Sequence, residues 1–251
     1  MDILLCGACG RMGAAVAAAA HEAGHRIVAG VDPNPAATSP FPIFASPEEC
    51  TVRADVIVDF SHHSALPALL SFAKKRRIPA VICTTGHTKE ELDLLSRAAG
   101  EIAVFYSRNM SLGINLLMSL CRRAAAALGS DFDVEIVEKH HRNKLDAPSG
   151  TALMLADAVS GADKEPHPLV FDRTERRAVR PRGEIGISSV RGGSIVGEHE
   201  VIFAGKDEVI TLSHSASSRE VFATGALRAA EFLIGKPAGT YDMGSLLDSC
   251  I

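Results

Sequence analysis

Asp2-Ile3-Leu4-Leu5-Cys6-Gly7-Ala8-Cys9-Gly10-Arg11-Met12-Gly13 opens the chain with an apolar run and a glycine-rich turn, and alanine dominates the residues that follow, 14–20. Residues 2–7 read as a strand and the alanine run as a helix. A strand, a tight glycine turn and a helix in that order form the context of a dinucleotide-binding βα unit. Glycines permit the turn and let a pyrophosphate approach amides at the helix start. The second strand, residues 26–32, ends in Asp32, nineteen positions after Gly13 and placed to accept hydrogen bonds from an adenosine ribose. Cys9 stands where the usual G-x-G-x-x-G has its middle glycine, so the spacing here is G-x-x-G-x-x-G. An ordinary βαβ unit would share the glycines. The ordered series of strand, turn, helix, strand and terminal Asp favours a cofactor site.

Further βα alternation extends the sheet. Residues 54–60 read as a buried strand, and Ser64 is placed to cap a helix that tolerates Pro67 in its first turn. Residues 79–83 form the next strand, with Thr84-Thr85-Gly86 at its tip. Thr88-Lys89-Glu90-Glu91 is a capping box opening a helix over 89–99, and residues 102–106 return to the sheet. The expected architecture is a Rossmann-like, doubly wound parallel α/β sheet, in which ligands lie beyond the carboxyl ends of the strands. Gly7, Gly10, Arg11, Met12, Gly13, Asp32, Phe60, Thr84, Thr85, Gly86, Asn109, Met110 and Ser111 should gather there as a cofactor-binding set.

From Leu112 the pattern changes. A helix over 112–128 stopped by Gly129, a strand over 131–138 and a helix over 150–160 lead into residues 161–183, which read as a long loop. Its arginines, 173, 176, 177, 180 and 182, are expected to be solvated. Residues 185–191, 194–204 and 207–214 alternate like antiparallel strands, with turns at Gly192-Gly193 and Gly205-Lys206-Asp207. The second domain is therefore expected to be α+β with a mostly antiparallel or mixed sheet. A last amphipathic helix over 218–233 should pack back on the first domain. The expected division is a dinucleotide-binding domain of residues 1–109 plus 218–251, and a substrate-binding and oligomerisation domain of residues 110–217.

Between the strand and helix of that second domain lies the densest chemistry of the chain, Glu138-Lys139-His140-His141-Arg142-Asn143-Lys144-Leu145-Asp146-Ala147-Pro148-Ser149-Gly150-Thr151. It reads as a strand-to-helix loop facing the cofactor groove. Ser149 is a good N-cap, so amides near Gly150 and Thr151 should point outward at an anion such as a carboxylate. A histidine titrates near neutrality, and a nearby lysine can hold an anion or deliver a proton. A solvated polar loop is the bland alternative; adjacent histidines, Lys144 and the capping Ser-Gly-Thr argue against it.

Composition bounds the remaining classes. The 251 residues are 47% hydrophobic and 22% charged with a net charge of −4, which fits a globular protein and argues against general nucleic-acid binding. No apolar run reaches a membrane-spanning length, and residues 1–5 lack the basic start of a signal peptide. The six cysteines show no paired framework, no second pair completes Cys6-x-x-Cys9 as a zinc site, and reduced thiols in a cytoplasmic protein are expected.

Gly7 to Gly13, Glu138 to Thr151 and Ala216-Ser217-Ser218-Arg219 together resemble the dihydrodipicolinate reductase family, over essentially the whole chain and in order. The run E-x-H-H-R-x-K-x-D-A-P-S-G-T-A carries most of the specificity. The resemblance implies NAD(P)H-dependent reduction of 4-hydroxy-tetrahydrodipicolinate, or dihydrodipicolinate, to tetrahydrodipicolinate in diaminopimelate and lysine biosynthesis. Hydride passes to C4 of the ring after loss of the 4-hydroxyl as water, and a proton is added at C3. The resemblance makes His140 the proton donor or polarising acid and Lys144 a second acid–base group near the ring nitrogen. It makes Ser149, Gly150 and Thr151 the ligands of one carboxylate and His141 a further substrate contact. It also implies a homotetramer formed through the second sheet, whose three antiparallel strands would otherwise leave an apolar face and an open edge. Met110 stands where the family often has an aromatic residue. Asp32, followed by Pro33 and not by an arginine, favours NADH, with residual NADPH use. A sugar or amino-acid dehydrogenase would share the first fingerprint without the His-His-Arg-x-Lys loop, and a nucleotide-sensing module would share only the first domain.

Overall fold

A computed structural model of the chain describes residues 1–34, 39–162, 167–174 and 176–250. In chain order the first elements are β1 (Asp2–Cys6), α1 (Arg11–Glu22), β2 (Arg26–Val31), β3 (Ile43–Phe44), β4 (Val56–Asp59), α2 (Leu66–Arg76), β5 (Ala80–Ile82), α3 (Lys89–Ala98) and β6 (Ala103–Tyr106). There follow α4 (Leu112–Leu128), β7 (Asp133–His140), α5 (Gly150–Ser160), β8 (Leu169–Val170), β9 (Ile185–Arg191), β10 (Gly197–Ala204) and β11 (Val209–Ala216). The chain closes with α6 (Glu220–Leu233), β12 (Gly239–Tyr241) and α7 (Met243–Asp248). It divides into two compact units, residues 1–112 with 219–251, and residues 113–218.

The first unit is a seven-stranded, all-parallel sheet in the order β12-β6-β5-β4-β1-β2-β3. Period-two alternation sends neighbouring residues of one strand to opposite faces. Leu4 and Ile57 join a core with Leu66, Leu69 and Leu95 of α2 and α3. Ile3, Leu5, Val56 and Val58 join a second core with Val16 of α1, Ala226 and Leu233 of α6 and Met243 of α7. Helices on both faces explain why these strands read as continuous apolar runs. The helix expected over 218–233 is α6, which packs on the first sheet, and β12 and α7 follow it in the chain. The order reverses at β1 and β4, which puts the crevice of a doubly wound sheet beyond their carboxyl ends.

The helix starts follow local chemistry in most places. Thr88 Oγ1 accepts from Glu91 N–H at 3.3 Å while Glu91 Oε2 accepts from Thr88 N–H at 2.8 Å, completing the capping box. Ser64 is different from expectation. The chain enters α2 through a 3₁₀ turn over His63–Ala65, whose cap is His62, with its Nδ1 accepting from Ser64 N–H at 3.3 Å. Because the preceding turn already carries the chain into helical dihedrals, α2 has no side-chain cap, and Pro67 sits in its first turn.

In the second unit the sheet is mixed, in the order β11-β10-β7-β9-β8. β10 pairs antiparallel with β11 and β7, whereas β9 runs parallel to β7 and to β8. The three late strands are therefore not one antiparallel set. β7 separates β9 from β10, so Gly192-Gly193 is not a hairpin turn but a crossing over the end of β7, with Gly192 N–H donating to His140 O at 2.9 Å. One face of the sheet packs Ile136, Ile187, Val201 and Phe203 against Ile114 and Leu117 of α4 and Leu155 and Val159 of α5. The opposite face is not simply apolar: Lys139 pairs with Glu198 and Glu200 at 3.2 and 2.8 Å in the same face as Val137 and Ile202.

Two further expectations are corrected. β7 extends to His140, two residues past the predicted end, so Lys139 and His140 are strand residues, not loop residues. The stretch over 161–183 contains β8, and its residues 163–166 and 175 lie outside the described ones. Its arginines are not all solvated. Arg180 meets Asp133 and Glu135 at 2.6 and 3.1 Å, Arg173 meets Glu135 at 2.5 Å and also Glu184, and Arg176 reaches Glu184 at 3.4 Å. Glu184 is buried, and a buried carboxylate recruits cations that sequence composition alone would leave in water. Arg177 and Arg182 are exposed.

Candidate active site

In the second unit, pleating puts Ile136, Glu138 and His140 on the helix-covered face of β7 and Glu135 and Lys139 on the other. Register supplies the neighbours: Glu138 lies opposite Ser189 of β9 and His199 of β10, and His140 lies opposite Arg191. Glu138 is fully buried at 0% exposure. Its Oε2 accepts from His140 Nδ1 at 2.6 Å and Arg191 Nη1 at 2.8 Å, and its Oε1 accepts from Arg191 Nη2 at 2.6 Å and Ser149 N–H at 3.1 Å. Burial pushes the carboxyl up, but hydrogen bonds from Arg191, Ser189 and His140 outweigh it and hold Glu138 down at about 2.

A carboxylate ionised in this way can only accept, so His140 carries its neutral proton on Nδ1 and turns Nε2 away from Glu138. Gly197 keeps that nitrogen uncovered, since a Cβ there would sit 3.1 Å from Nε2. Burial lowers the His140 pKa, Glu138 raises it, and the charges of Lys144 and Arg191 lower it further. His199, at 5.2 Å between ring centres, stands edge-on to His140 and is pushed down to about 4, chiefly by burial.

The connection from β7 to α5 is short and folded back. Lys144 N–H donates to His141 O at 3.1 Å, and Lys144 Nζ pairs with Asp146 at 2.8 Å. Ser149 caps α5 as expected, its Oγ accepting from Ala152 N–H at 3.1 Å and lying 3.0 Å from His199 Nε2. Gly150 is exposed at the first helical position, where a Cβ would meet nothing within 4 Å, and its backbone N–H donates to the Asp146 carboxylate, so the start of α5 already holds an anion. Within one unit the structure thus brings together His140, Lys144 and the Ser149-Gly150-Thr151 turn. His141 is half-buried beside them in sequence, with its Nδ1 lacking a hydrogen-bond partner among the described residues.

Arg191, Ser189 and His199 were missed by sequence reasoning. They lie roughly 50 to 60 residues beyond Glu138 and His140 and become neighbours only through register. The one signal available was the period-two alternation of Gly197-Glu198-His199-Glu200-Val201, which places His199 on the buried face with Val201.

In the first unit, the glycine turn sits where the sheet order reverses. Gly7 has φ of +76°, and a Cβ on it would overlap Phe60 O. A Cβ on Gly13 would overlap Gly7 O, which is what the close approach of turn and helix requires. Gly10 caps α1 without a side chain, leaving the first-turn amides around Arg11, Met12 and Gly13 to an anion. Asp32 stands beside the turn, its carboxylate accepting from Cys9 N–H and Asn34 N–H, each at 3.0 Å. Next along the edge, Phe60, Ser61, His62, His63, Cys83, Thr84 and Thr85 line an open cleft. The Thr84 hydroxyl donates to buried Asp59 at 2.7 Å, so its own role there is to fix that floor. Gly86 follows with φ of +81°. Asn109 and Ser111 are buried and tied together, Asn109 Oδ1 accepting from Ser111 N–H at 2.9 Å. Met110 is a core residue at 2% exposure, and its carbonyl abuts Gly225 of α6. The cradle of glycines, open amides and a terminal carboxylate fits a dinucleotide.

Comparison with known proteins gives the family and the fold. Residues 1–110 match the family of the dihydrodipicolinate reductase N-terminus, and residues 113–247 match that of the dihydrodipicolinate reductase C-terminus. A 4-hydroxy-tetrahydrodipicolinate reductase of Caldanaerobacter subterraneus is 52% identical over 248 residues, covering 98% of this chain and 97% of its own. One from Clostridium perfringens is 46% identical, covering 98% of each. Among solved structures, a dipicolinate-bound dihydrodipicolinate reductase from Paenisporosarcina superposes with a TM-score of 0.79 at 26% identity, over 96% of this chain and 97% of its own. A diaminopimelate dehydrogenase of C. glutamicum, at a TM-score of 0.57 and 14% identity over 97% of this chain and 92% of its own, shares the fold.

Proposed function

The chain belongs to the dihydrodipicolinate reductase family, and from that premise we propose which of its residues carry out the reduction of 4-hydroxy-tetrahydrodipicolinate to tetrahydrodipicolinate. It is an oxidoreductase of diaminopimelate and lysine biosynthesis that uses a nicotinamide cofactor. The carrying observation for the residue assignment is the buried Glu138–His140 contact at 2.6 Å in the same cluster as the α5 start.

When bound, the reduced nicotinamide supplies a hydride, which C4 of the ring receives once the 4-hydroxyl has left as water. His140 presents Nε2 and manages the proton added at C3. Lys144, free to exchange Asp146 for a substrate anion, places its ammonium by the ring nitrogen. Amides of Gly150 and Thr151 at the start of α5 bind one carboxylate, with Ser149 holding that helix end in place and His141 adding a contact. Dipicolinate, a planar dianion of the same kind, is expected to occupy this carboxylate subsite.

Gly7, Gly10, Arg11, Met12 and Gly13 cradle the pyrophosphate in this reading, Asp32 takes the ribose, and Phe60, Thr84, Thr85, Gly86, Asn109 and Ser111 border the nicotinamide. Met110 contributes through packing, since its side chain is buried. Asp32 would repel a 2′-phosphate and Pro33 offers no cation to hold one, so NADH is preferred and NADPH is used less well. We place the enzyme in the cytoplasm as a homotetramer joined through the second sheet. The cysteine spacing, which forms no paired framework in the sequence, and the open edge of β11 support those two readings.

The deciding test is loss of NADH absorbance when the protein is added to pyruvate, aspartate semialdehyde and dihydrodipicolinate synthase, repeated with NADPH. Synthase-dependent oxidation with kcat/KM higher for NADH is expected, and a ratio favouring NADPH would overturn the Asp32 argument. Light scattering at micromolar concentration should give four times the chain mass of 26.5 kDa.

A further inference from the structure

Glu138 does more than meet His140. It is a wholly buried carboxylate whose two oxygens are divided between two tasks. Oε2 holds His140 Nδ1 at 2.6 Å, and Oε1 holds Ser149 N–H, the residue that starts α5, at 3.1 Å. Arg191 spans both oxygens at 2.8 and 2.6 Å. A buried ion pair of this kind adds little net stability over an apolar pair of the same size. A negative charge next to a site for a dianion would weaken substrate binding were it not offset. Bidentate Arg191 offsets it in part and fixes the carboxylate as an oriented acceptor.

We propose that Glu138 is a positioning residue that splints the proton-handling His140 to the anion-binding start of α5, one oxygen to each, while Arg191 offsets part of its charge. The inference rests on the reading of His140 as the group that manages the proton. The splint fixes three things at once. It keeps the His140 proton on Nδ1, so Nε2 is the atom offered to substrate. It stabilises the imidazolium whenever Nε2 is protonated, as a carboxylate behind a histidine does in other acid–base pairs. Through Ser149 it sets the direction of the Gly150 and Thr151 amides, so the acid and the carboxylate subsite keep one spacing.

The groups facing His140 are Glu138 on its own strand, Arg191 from β9, His199 from β10 and Lys144 from the β7–α5 connection. Of these only Glu138 is anionic. Its replacement therefore leaves His140 among cations and a neutral ring, and the imidazolium must become harder to form. His199 stays neutral near pH 7 and donates or accepts without charge.

The experiment is ¹⁵N-histidine NMR of the full-length protein, with the His140 signal assigned by its loss in His140→Gln, together with kcat and KM as functions of pH for the wild type and Glu138→Gln. In the wild type the Nδ1–H tautomer of His140 is expected, with a downfield N–H proton. Observation of the Nε2–H tautomer would overturn the proposal and does not require Glu138→Gln to fold. In Glu138→Gln the His140 pKa should fall by at least one unit, kcat should drop on the order of 100-fold, and KM should change less than about threefold. Its alkaline limb of kcat should move down by the same shift. An unchanged His140 pKa in Glu138→Gln would also overturn the splint. A shifted His140 pKa combined with unchanged kcat in both Glu138→Gln and His140→Gln would instead sink the role of His140 as the acid.

Discussion

β7 carries charge on both of its faces, and the two faces behave differently. Outward, Glu135 and Lys139 join Arg173, Arg180, Glu198 and Glu200 in pairs that stay partly exposed. Inward, Glu138 and His140 join Arg191, Ser149 and His199 under α4 and α5. Glutamate paired with arginine occurs on both faces. On the outer face water screens the pairs and each is worth little. On the inner face both oxygens of one carboxylate are fully bonded, that carboxyl is held down at about 2 and a histidine is pushed down to about 4. Charge becomes chemically specific where one strand's pleat turns it inward.

The largest test of that contrast is turnover. His140→Ala and Lys144→Ala should each lower kcat by about 10²- to 10⁴-fold with NADH binding by calorimetry retained. Lys139→Gln, one residue away on the other face, should leave kcat within about twofold. A comparable loss in Lys139→Gln would erase the distinction between the faces.

Stability gives a smaller, independent contrast. Arg191→Met strands a fully buried carboxylate and should cost about 3 kcal/mol or more in urea unfolding. Removing Arg173 from the outer network should cost less, because Arg180 still serves Glu135 and Arg176 still serves Glu184. Equal losses would show that the outer network depends on each of its members as strongly as the inner one does.

The smallest effect is the pH dependence of unfolding. His199 is depressed from 6.5 to about 4, so the unfolded chain binds its proton first and stability falls as pH drops through that interval. Glu138 is depressed from 4.5 to about 2, so its contribution is complete above 4.5 and is lost as pH falls toward 2. Melting should thus weaken in two steps on acidification, and His199→Gln should shrink the upper one, to which His140 and His214, also lowered by burial, contribute as well. Identical profiles for the wild type and His199→Gln between pH 6.5 and 4 would show that His199 is not held neutral.

Much of the first unit was legible from neighbouring residues. The apolar runs at 2–6 and 56–59, the capping box at Thr88 and the glycine turn are local devices, and each formed where its residues said it would. Ser64 went astray because a 3₁₀ turn entering α2 made a side-chain cap unnecessary. In the second unit the helix start at Ser149 was equally legible. The sheet was not. Three alternating segments after residue 184 looked like consecutive antiparallel strands, yet β7, about fifty residues earlier in the chain, inserts between β9 and β10.

Sequence by itself determined the alternation of elements, the faces of each strand, the capped start of α5 and the presence of His140 and Lys144 close to it, because those depend on residues a few positions apart. Tertiary structure alone decided that Arg191, Ser189 and His199 flank Glu138 and His140, and that Arg173 and Arg180 serve buried and half-buried carboxylates. Strand register and long-range ion pairing are set by how whole elements pack, and a one-residue slip would turn every one of these side chains to the other face.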